Sequence, residues 1–378
     1  LSAQDLTPVA PGVRQPRTLI KVGGVEMRAG FSWEIDSNTY YEADTFRCIV
    51  AVGLLPEGHG VDWWYGQDRL DIEIFAGFPS DPVNYTATDL ESIFYGRIED
   101  DEWDPAHGVI EISGRDLTSD LIDTKTSEAY PNLTASQIAT KLASAHGLTP
   151  VVTATTTKAG RYYQIDTVRQ QDERTEWDLL TWLAKEEGFV TYVRGKELHF
   201  EPAPSDQSQA YRFKYTPRTA ENAPIFGGTT FKPRHNRALA RDIKVTVKSW
   251  NPKTKKRVKR VAQMTRTRNR VLRSSGRPVT PVQEYSFTLP NLSPEQAQQL
   301  ANKKLAELSR HEKAITIEGP ADNVLQITHR IIIEGTGTPF DQVYYPDSIV
   351  RSMSAESGSG YHWSIMAKNH SPETEVTL

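Results

Sequence analysis

The stretch Thr175-Glu-Trp-Asp-Leu-Leu-Thr-Trp-Leu-Ala-Lys-Glu-Glu-Gly-Phe-Val-Thr-Tyr-Val-Arg-Gly-Lys-Glu-Leu-His-Phe-Glu201 carries two periodicities in succession. Trp177, Leu180, Leu183 and Ala184 recur at three- and four-residue spacing, which predicts a helix with one apolar face ending at Gly188. Phe189–Val193 and Glu197–Phe200 then alternate around Arg194-Gly195-Lys196, the pattern of a hairpin. Upstream, Leu133-Thr134-Ala135-Ser136-Gln137-Ile138 reads as a helix start. Thr134 can accept from the Gln137 amide while Gln137 reaches back, and Leu133 can staple to Ile138. Ile138 and Leu142 share a face, and Gly147 suits the left-handed position that closes a helix. Together these elements make a small α+β domain at 126–205.

Both flanks change to β character. Short apolar runs at Leu19–Val22, Phe46–Val52, Leu70–Phe75, Ser92–Arg97 and Val109–Ser113 are separated by Gly, Pro, Asn and Asp, as in an antiparallel barrel or sandwich. Leu70-Asp71-Ile72-Glu73-Ile74 and Val109-Ile110-Glu111-Ile112 alternate apolar with acidic residues, so each predicts a half-buried strand with an acidic outer face. A hairpin is expected around Asp100–His107. Beyond Pro202–Pro204, Asp242–Ser249 and Val282–Leu289 alternate like paired strands. Ser293-Pro294-Glu295-Gln296 then opens a helix that carries Leu300, Lys304 and Leu308. Strands at Ala314–Glu318, Arg330–Glu334 and Ser364–Ala367 finish the chain. The fold class is therefore mainly β with a small α+β domain. The expected division is an extended arm at 1–17, a β domain at 18–125, the α+β domain at 126–205, and a second β domain at 206–378 with a basic insertion near 250–280. No tandem repeat of 20–50 residues is present.

Of the 378 residues, 38% are hydrophobic and 24% charged, the balance of a polar globular protein. No apolar stretch approaches the roughly 18 residues needed to span a bilayer, and the N-terminal residues lack the pattern of a signal peptide. Neither membrane insertion nor export is expected, which places assembly in the cytoplasm. The single cysteine, Cys48, excludes an internal disulfide and a Cys-based zinc site, and its apolar neighbours mark it as core filler. The net charge of −4 conceals a segregation: residues 1–120 carry 22 acids against 8 bases, whereas residues 244–277 carry 13 bases and no acid. Such surfaces meet partners, or each other in an oligomer.

The 175–201 stretch resembles the helix-plus-hairpin of the phage late-control protein D family, which also covers baseplate hubs and the hub part of type VI secretion spikes. The shared pattern is an aromatic, two leucines, Ala-x-Glu-Glu-Gly, and a hairpin ending in Leu-x-Phe. The Leu133–Gly147 helix fits the segment that precedes it. A helix from Ser293 with Ala297, Ala301 and Leu305, followed by Val350–Ser354 and Gly360–Ala367, is similar to the family's closing barrel. Here Ser352-Met353-Ser354 replaces a histidine-bearing strand, and Tyr361-His362-Trp363 supplies the aromatic. The resemblance implies two β-barrel domains of the tail-hub type. It also implies a homotrimer whose six barrels match a sixfold tail tube to a threefold central spike and line the DNA passage. Implied partners are the tail tube, central spike, tape measure and other baseplate proteins, with transient contact to phage DNA. The implied location is the virion, at the tail baseplate, after assembly in the host cytoplasm.

Catalytic chemistry finds little support. A glycosidase needs one carboxylic acid of raised pKa and a second carboxylate nearby. Glu99, Asp100, Asp101, Glu102 and Asp104 qualify by composition alone, and clustered acids at a turn read as a solvated loop. The nine histidines never fall at His-x-x-x-His or Glu-x-x-His spacing, although one histidine per chain on a threefold axis stays open. His146 and His311 sit near helix ends, where a dipole contact explains them. Gly335-Thr-Gly337 is a turn, not a phosphate loop. Trp33, Trp63 and Trp64 read as core or interface before carbohydrate stackers. No enzyme activity and no cofactor are expected. Lys253, Lys255, Lys256, Arg257, Lys259, Arg260, Arg266 and Arg268 form the candidate site: a projecting hairpin or loop docking on an acidic protein surface. A solvated loop, or phosphate contact without base preference, would give the same composition. A tail-tip cell-wall hydrolase and a nucleic-acid-binding adaptor are the alternative functions.

Overall fold

A computed structural model describes residues 6, 15–126, 130, 132–156, 174–203, 209–220, 223–235, 243–251, 256–264, 283–289, 292–309, 313–355 and 360–369. Alternation in the N-terminal third becomes strands β1 (Arg17–Val22), β2 (Val25–Met27), β3 (Phe31–Asn38), β4 (Thr45–Ala51), β5 (Asp71–Gly77), β6 (Glu91–Asp104) and β7 (Val109–Asp116), with the short helix α1 (Val61–Tyr65) between β4 and β5. Phe31, Trp33 and Ile35 point inward from β3, as do Phe46, Cys48 and Val50 from β4 and Ile110 and Ile112 from β7. Cys48, Trp33 and Trp64 are buried, which makes them core, and Trp63 packs partly buried against the same cluster.

Strand β6 overruns its expected end. Glu99–Asp104 lie in the strand, paired with β7, and the turn is confined to Pro105–Gly108. Consecutive acids hid the period of two, because this part of the hairpin extends past its neighbour β5. The two strands coil tightly at a bulge between Ile98 and Asp100. There a Cβ on Gly114 would overlap the Arg97 carbonyl oxygen.

The middle of the chain forms α2 (Thr118–Asp123), β8 (Lys125–Thr126), α3 (Ala135–Ala145), β9 (Thr149–Val152), β10 (Arg174–Thr175), α4 (Glu176–Glu187), β11 (Phe189–Arg194) and β12 (Glu197–Pro202). The capping box at α3 forms as read: Gln137 N donates to Thr134 Oγ1 at 3.3 Å, and Thr134 N donates to Gln137 Oε1 at 3.0 Å. Gly188 closes α4 at φ 72°, in the left-handed region. Ile138, Leu142, Leu180, Leu183, Leu198 and Phe200 share one core. Strand β9 joins β12 in parallel, a pairing for which the sequence offered no signal. His146 does more than cap a helix dipole: its Nε2 lies 2.5 Å from Glu176 Oε2, tying the end of α3 to the start of α4.

The remaining elements are β13 (Ala210–Lys214), β14 (Thr230–His235), β15 (Ile243–Asn251), β16 (Lys256–Met264), β17 (Gln283–Thr288), α5 (Pro294–Ser309), β18 (Lys313–Pro320), β19 (Arg330–Glu334), β20 (Val343–Ser354) and β21 (His362–Asn369). Antiparallel pairing of β20 with β3 joins the two β halves into one 13-stranded sheet. Its path runs β14-β18-β21-β20-β3-β4-β7-β6-β5-β1-β2, and β13 and β19 branch from β20. The seam is packed by Trp33 against Tyr361, with ring centroids 5.9 Å apart. Among the described residues, no helix is long and apolar enough to cross a membrane.

Candidate interaction surface

The described part of the basic insertion is strand. Strands β15 and β16 form an antiparallel pair, and β17 joins the far edge of β15 in parallel. Within the two stretches that alternate, 243–248 and 283–288 therefore do pair, but in parallel and not as the two arms of a long hairpin. Lysine and arginine masked the strand at 256–264, whose period survives only in Val258 and Ala262. One face of this sheet buries Ile243, Val245, Val247 and Ala262 against Ala297, Ala301 and Leu305 of α5. The two alanines let the helix sit close. Its start forms as read, with Ser293 N donating to Gln296 Oε1 at 2.9 Å and Gln296 N to Ser293 Oγ at 3.2 Å.

Alternation then fixes what the opposite face carries. Lys244, Lys248 and Trp250 of β15 stand beside Arg257, Lys259 and Val261 of β16, and beside Glu284 of β17. Lys248 and Lys259 are directly opposite, a like-charge pair that destabilises a sheet. Trp250 is 52% exposed and Val261 39%. Glu284 is the one acid among the described residues of this face. It accepts from Lys244 Nζ at 2.8 Å, which holds its carboxyl below the usual range.

The structure divides the sequence-predicted residues. Arg257 and Lys259 share the open face. Arg260 lies across from Val247 on the helix side, and its Nε donates to the Pro294 carbonyl at 3.4 Å. Lys256 belongs to β16. Lys253, Lys255, Arg266 and Arg268 lie outside the described residues. Lys244, Lys248 and Trp250 were not singled out from sequence, although period-two alternation from Ile243 would have placed them.

Two of the acids weighed for catalysis, Glu99 and Asp104, are paired with basic side chains. Glu99 takes Arg115 Nε on both oxygens, at 2.9 and 2.8 Å. Asp104 accepts from His107 at 2.6 Å, which pulls its carboxyl below the usual range, the reverse of what a general acid needs. Among the described residues, no group of three or more His, Cys, Asp or Glu is placed to hold a metal ion. His199 stacks on Tyr192 at 4.5 Å, and burial lowers its pKa.

Sequence reasoning missed a buried acid pair. Where the two β halves meet the α+β unit lies a cavity of about 120 Å³, lined among others by Asn38, Tyr40, Asp44, Tyr192, Arg194 and Arg351. Asp44 is half-buried as a residue, yet its carboxyl lies deep, and desolvation pushes it up to about 7 despite hydrogen bonds from Asn38 and Ser37. Asp116 is raised well above its ordinary value by burial and by Asp44. The same corner holds Tyr41 at φ 79°, a costly conformation for an aromatic residue. Three bonds over-determine it: Tyr41 N donates to Thr191 O at 3.2 Å, Tyr41 Oη to Phe189 O at 2.8 Å, and Trp177 Nε1 to Tyr41 O at 2.9 Å.

The model of the family described as Alg8 N-terminal domain matches residues 70–354. The chain belongs to that family. This membership is unrelated to the tail-hub resemblance, since its description names no tail component. No curated protein matches the chain. Among solved structures, it is similar to a tail protein from Neisseria meningitidis MC58, at TM-score 0.64 and 14% identity over 95% of this chain and 98% of that one. It is equally similar to the 43 kDa tail protein of prophage MuSo2 from Shewanella oneidensis, at TM-score 0.64 and 15% identity over 95% and 99%. A third likeness is to the E. coli c3393 protein, described as a type VI secretion component structurally similar to T4 tail proteins gp27 and gp5. It reaches TM-score 0.50 and 9% identity over 94% and 77%. The fold is that of phage tail proteins: mainly β, with a small α+β unit.

Proposed function

We propose that this chain is a structural hub of a tail-type baseplate, a ring component that adapts a sixfold tube to a threefold spike. The observation that carries this reading is the end-to-end likeness to tail proteins, which covers 95% of the chain and nearly all of theirs. The homotrimer, the contacts with tube, spike and tape measure proteins, and the virion location belong to the same proposal. A ring subunit works by geometric matching through large interfaces and needs no reacting groups. The paired state of Glu99 and Asp104 is consistent with that, and the open basic face of β15–β17 supplies a docking surface. Co-expression with the tube and spike proteins of the same genome, followed by electron microscopy, tests the reading. Threefold rings seated between tube and spike are expected. Tubes and spikes that join normally without this chain would overturn it.

A further inference from the structure

The basic face of β15–β17 has a counterpart on the same chain. On the outer face of the main sheet, Glu34 of β3, Glu111 of β7, and Asp100, Glu102 and Asp104 of β6 stand together with Arg47 of β4, while Arg115 of β7 and Arg97 of β6, on the same face, are taken up by Glu99 and Asp123 and by Asp71 and Asp120. Arg47 Nη2 lies 2.5 Å from Glu111 Oε2, which leaves the other acids in excess. Glu102 and Glu111 are directly opposite, the acidic mirror of the Lys248–Lys259 pair. Each pair spans one strand spacing, roughly 4.8 Å. Two like-charge pairs that weaken the isolated chain are each relieved by an opposite surface.

An apolar feature lies beside each pair. Trp250 is two residues along β15 from Lys248, on the same face and 52% exposed. Next to Glu111 across the sheet is Ile49, in the wall of an open depression of about 500 Å³ lined with Ser32, Glu34, Arg47, Ser352 and His362. An exposed tryptophan beside cations is the kind of anchor that concentrates interface energy, and a depression that holds Glu34 and adjoins Glu111 can receive it.

We infer that the β15–β17 face of one copy docks on the outer β3–β4–β7–β6 face of a second copy, with Lys248 and Lys259 over Glu102 and Glu111 and Trp250 in the depression. The two surfaces differ, so the contact is head-to-tail and closes into a ring or continues as a chain. This rests on the ring reading above and names its subunit contact.

Sedimentation equilibrium of the full chain tests it, using wild type, a Lys248→Glu/Lys259→Glu variant, a Glu102→Lys/Glu111→Lys variant, and an equimolar mixture of the two. Wild type should self-associate at low salt, and about tenfold more weakly once the Debye length falls to roughly 3 Å near 1 M. Each variant alone should be monomeric, and the mixture should associate, because one chain then carries two acidic faces and the other two basic ones. Trp250→Ala, which leaves the charges alone, should also weaken wild-type association. Circular dichroism melts establish that each variant is folded. A wild-type monomer at low salt, reversals without effect, or a mixture that stays monomeric would each overturn the pairing. Association that ignores the reversals, with rings still formed beside tube and spike, would remove this contact and leave the hub reading standing.

Discussion

Replacing Asp44 with Asn should make the protein less sensitive to alkaline conditions. In the folded chain the Asp44 carboxyl is pushed up to about 7 by burial, from an ordinary value of 3.8. A folded value above the unfolded one means that the folded state holds the proton more tightly. The stability this supplies is fully present below the unfolded pKa and is lost as pH rises through the folded one. The window is thus about pH 4 to 7. At about 1.4 kcal/mol per tenfold step in proton affinity, the ceiling is about 4 kcal/mol, and electrostatic coupling to Asp116 brings the expected loss to about 2–4 kcal/mol. Asparagine keeps an oxygen to accept the Asn38 amide, now 2.8 Å from Asp44 Oδ1, and cannot ionise. Urea denaturation at pH 5 and pH 8 should show wild type losing stability between them and Asp44→Asn losing much less. Wild-type stability that rises with pH, or a variant with an undiminished slope, would refute the reasoning.

Gly114→Ala should be among the most damaging small substitutions, because its methyl overlaps the Arg97 carbonyl where β6 and β7 coil together. A loss of about 1–3 kcal/mol is expected, read as a lower melting temperature, whereas an unchanged melt would show that the bulge yields. Serine at Arg257 and Lys259, both exposed, should shift stability by no more than about 0.5 kcal/mol. The same change should lower the yield of assembled particles, and unchanged titres would leave those residues as solvated charge.

Local signals were legible where the partner of a residue lies nearby in sequence. The capping boxes at Thr134 and Ser293, the helix carrying Leu180 and Leu183, and the alternation of Ile72 with Ile74 and of Ile110 with Ile112 are short-range patterns, and each formed as read. Charge obscured others. The strand at 256–264 and the far end of β6 carry polar residues on both faces, so their period gave no contrast.

What the chain by itself determined is therefore its element types, its mainly β class and the separation of acid from base. Only the tertiary structure decided which surfaces those charges occupy. Arg257 and Arg260 are three residues apart and both exposed, yet they lie on opposite faces of the sheet, and only Arg260 bonds to the start of helix α5, because register with β15 sets the side. The joining of the two β halves through β3 and β20 brings together residues more than 300 positions apart, as where Thr39 Oγ1 donates to Asp347 O at 2.6 Å. The Asp44–Asp116 corner is of the same kind. Its carboxyls are unusual because of what three distant segments exclude from around them, and desolvation leaves no mark on a linear pattern.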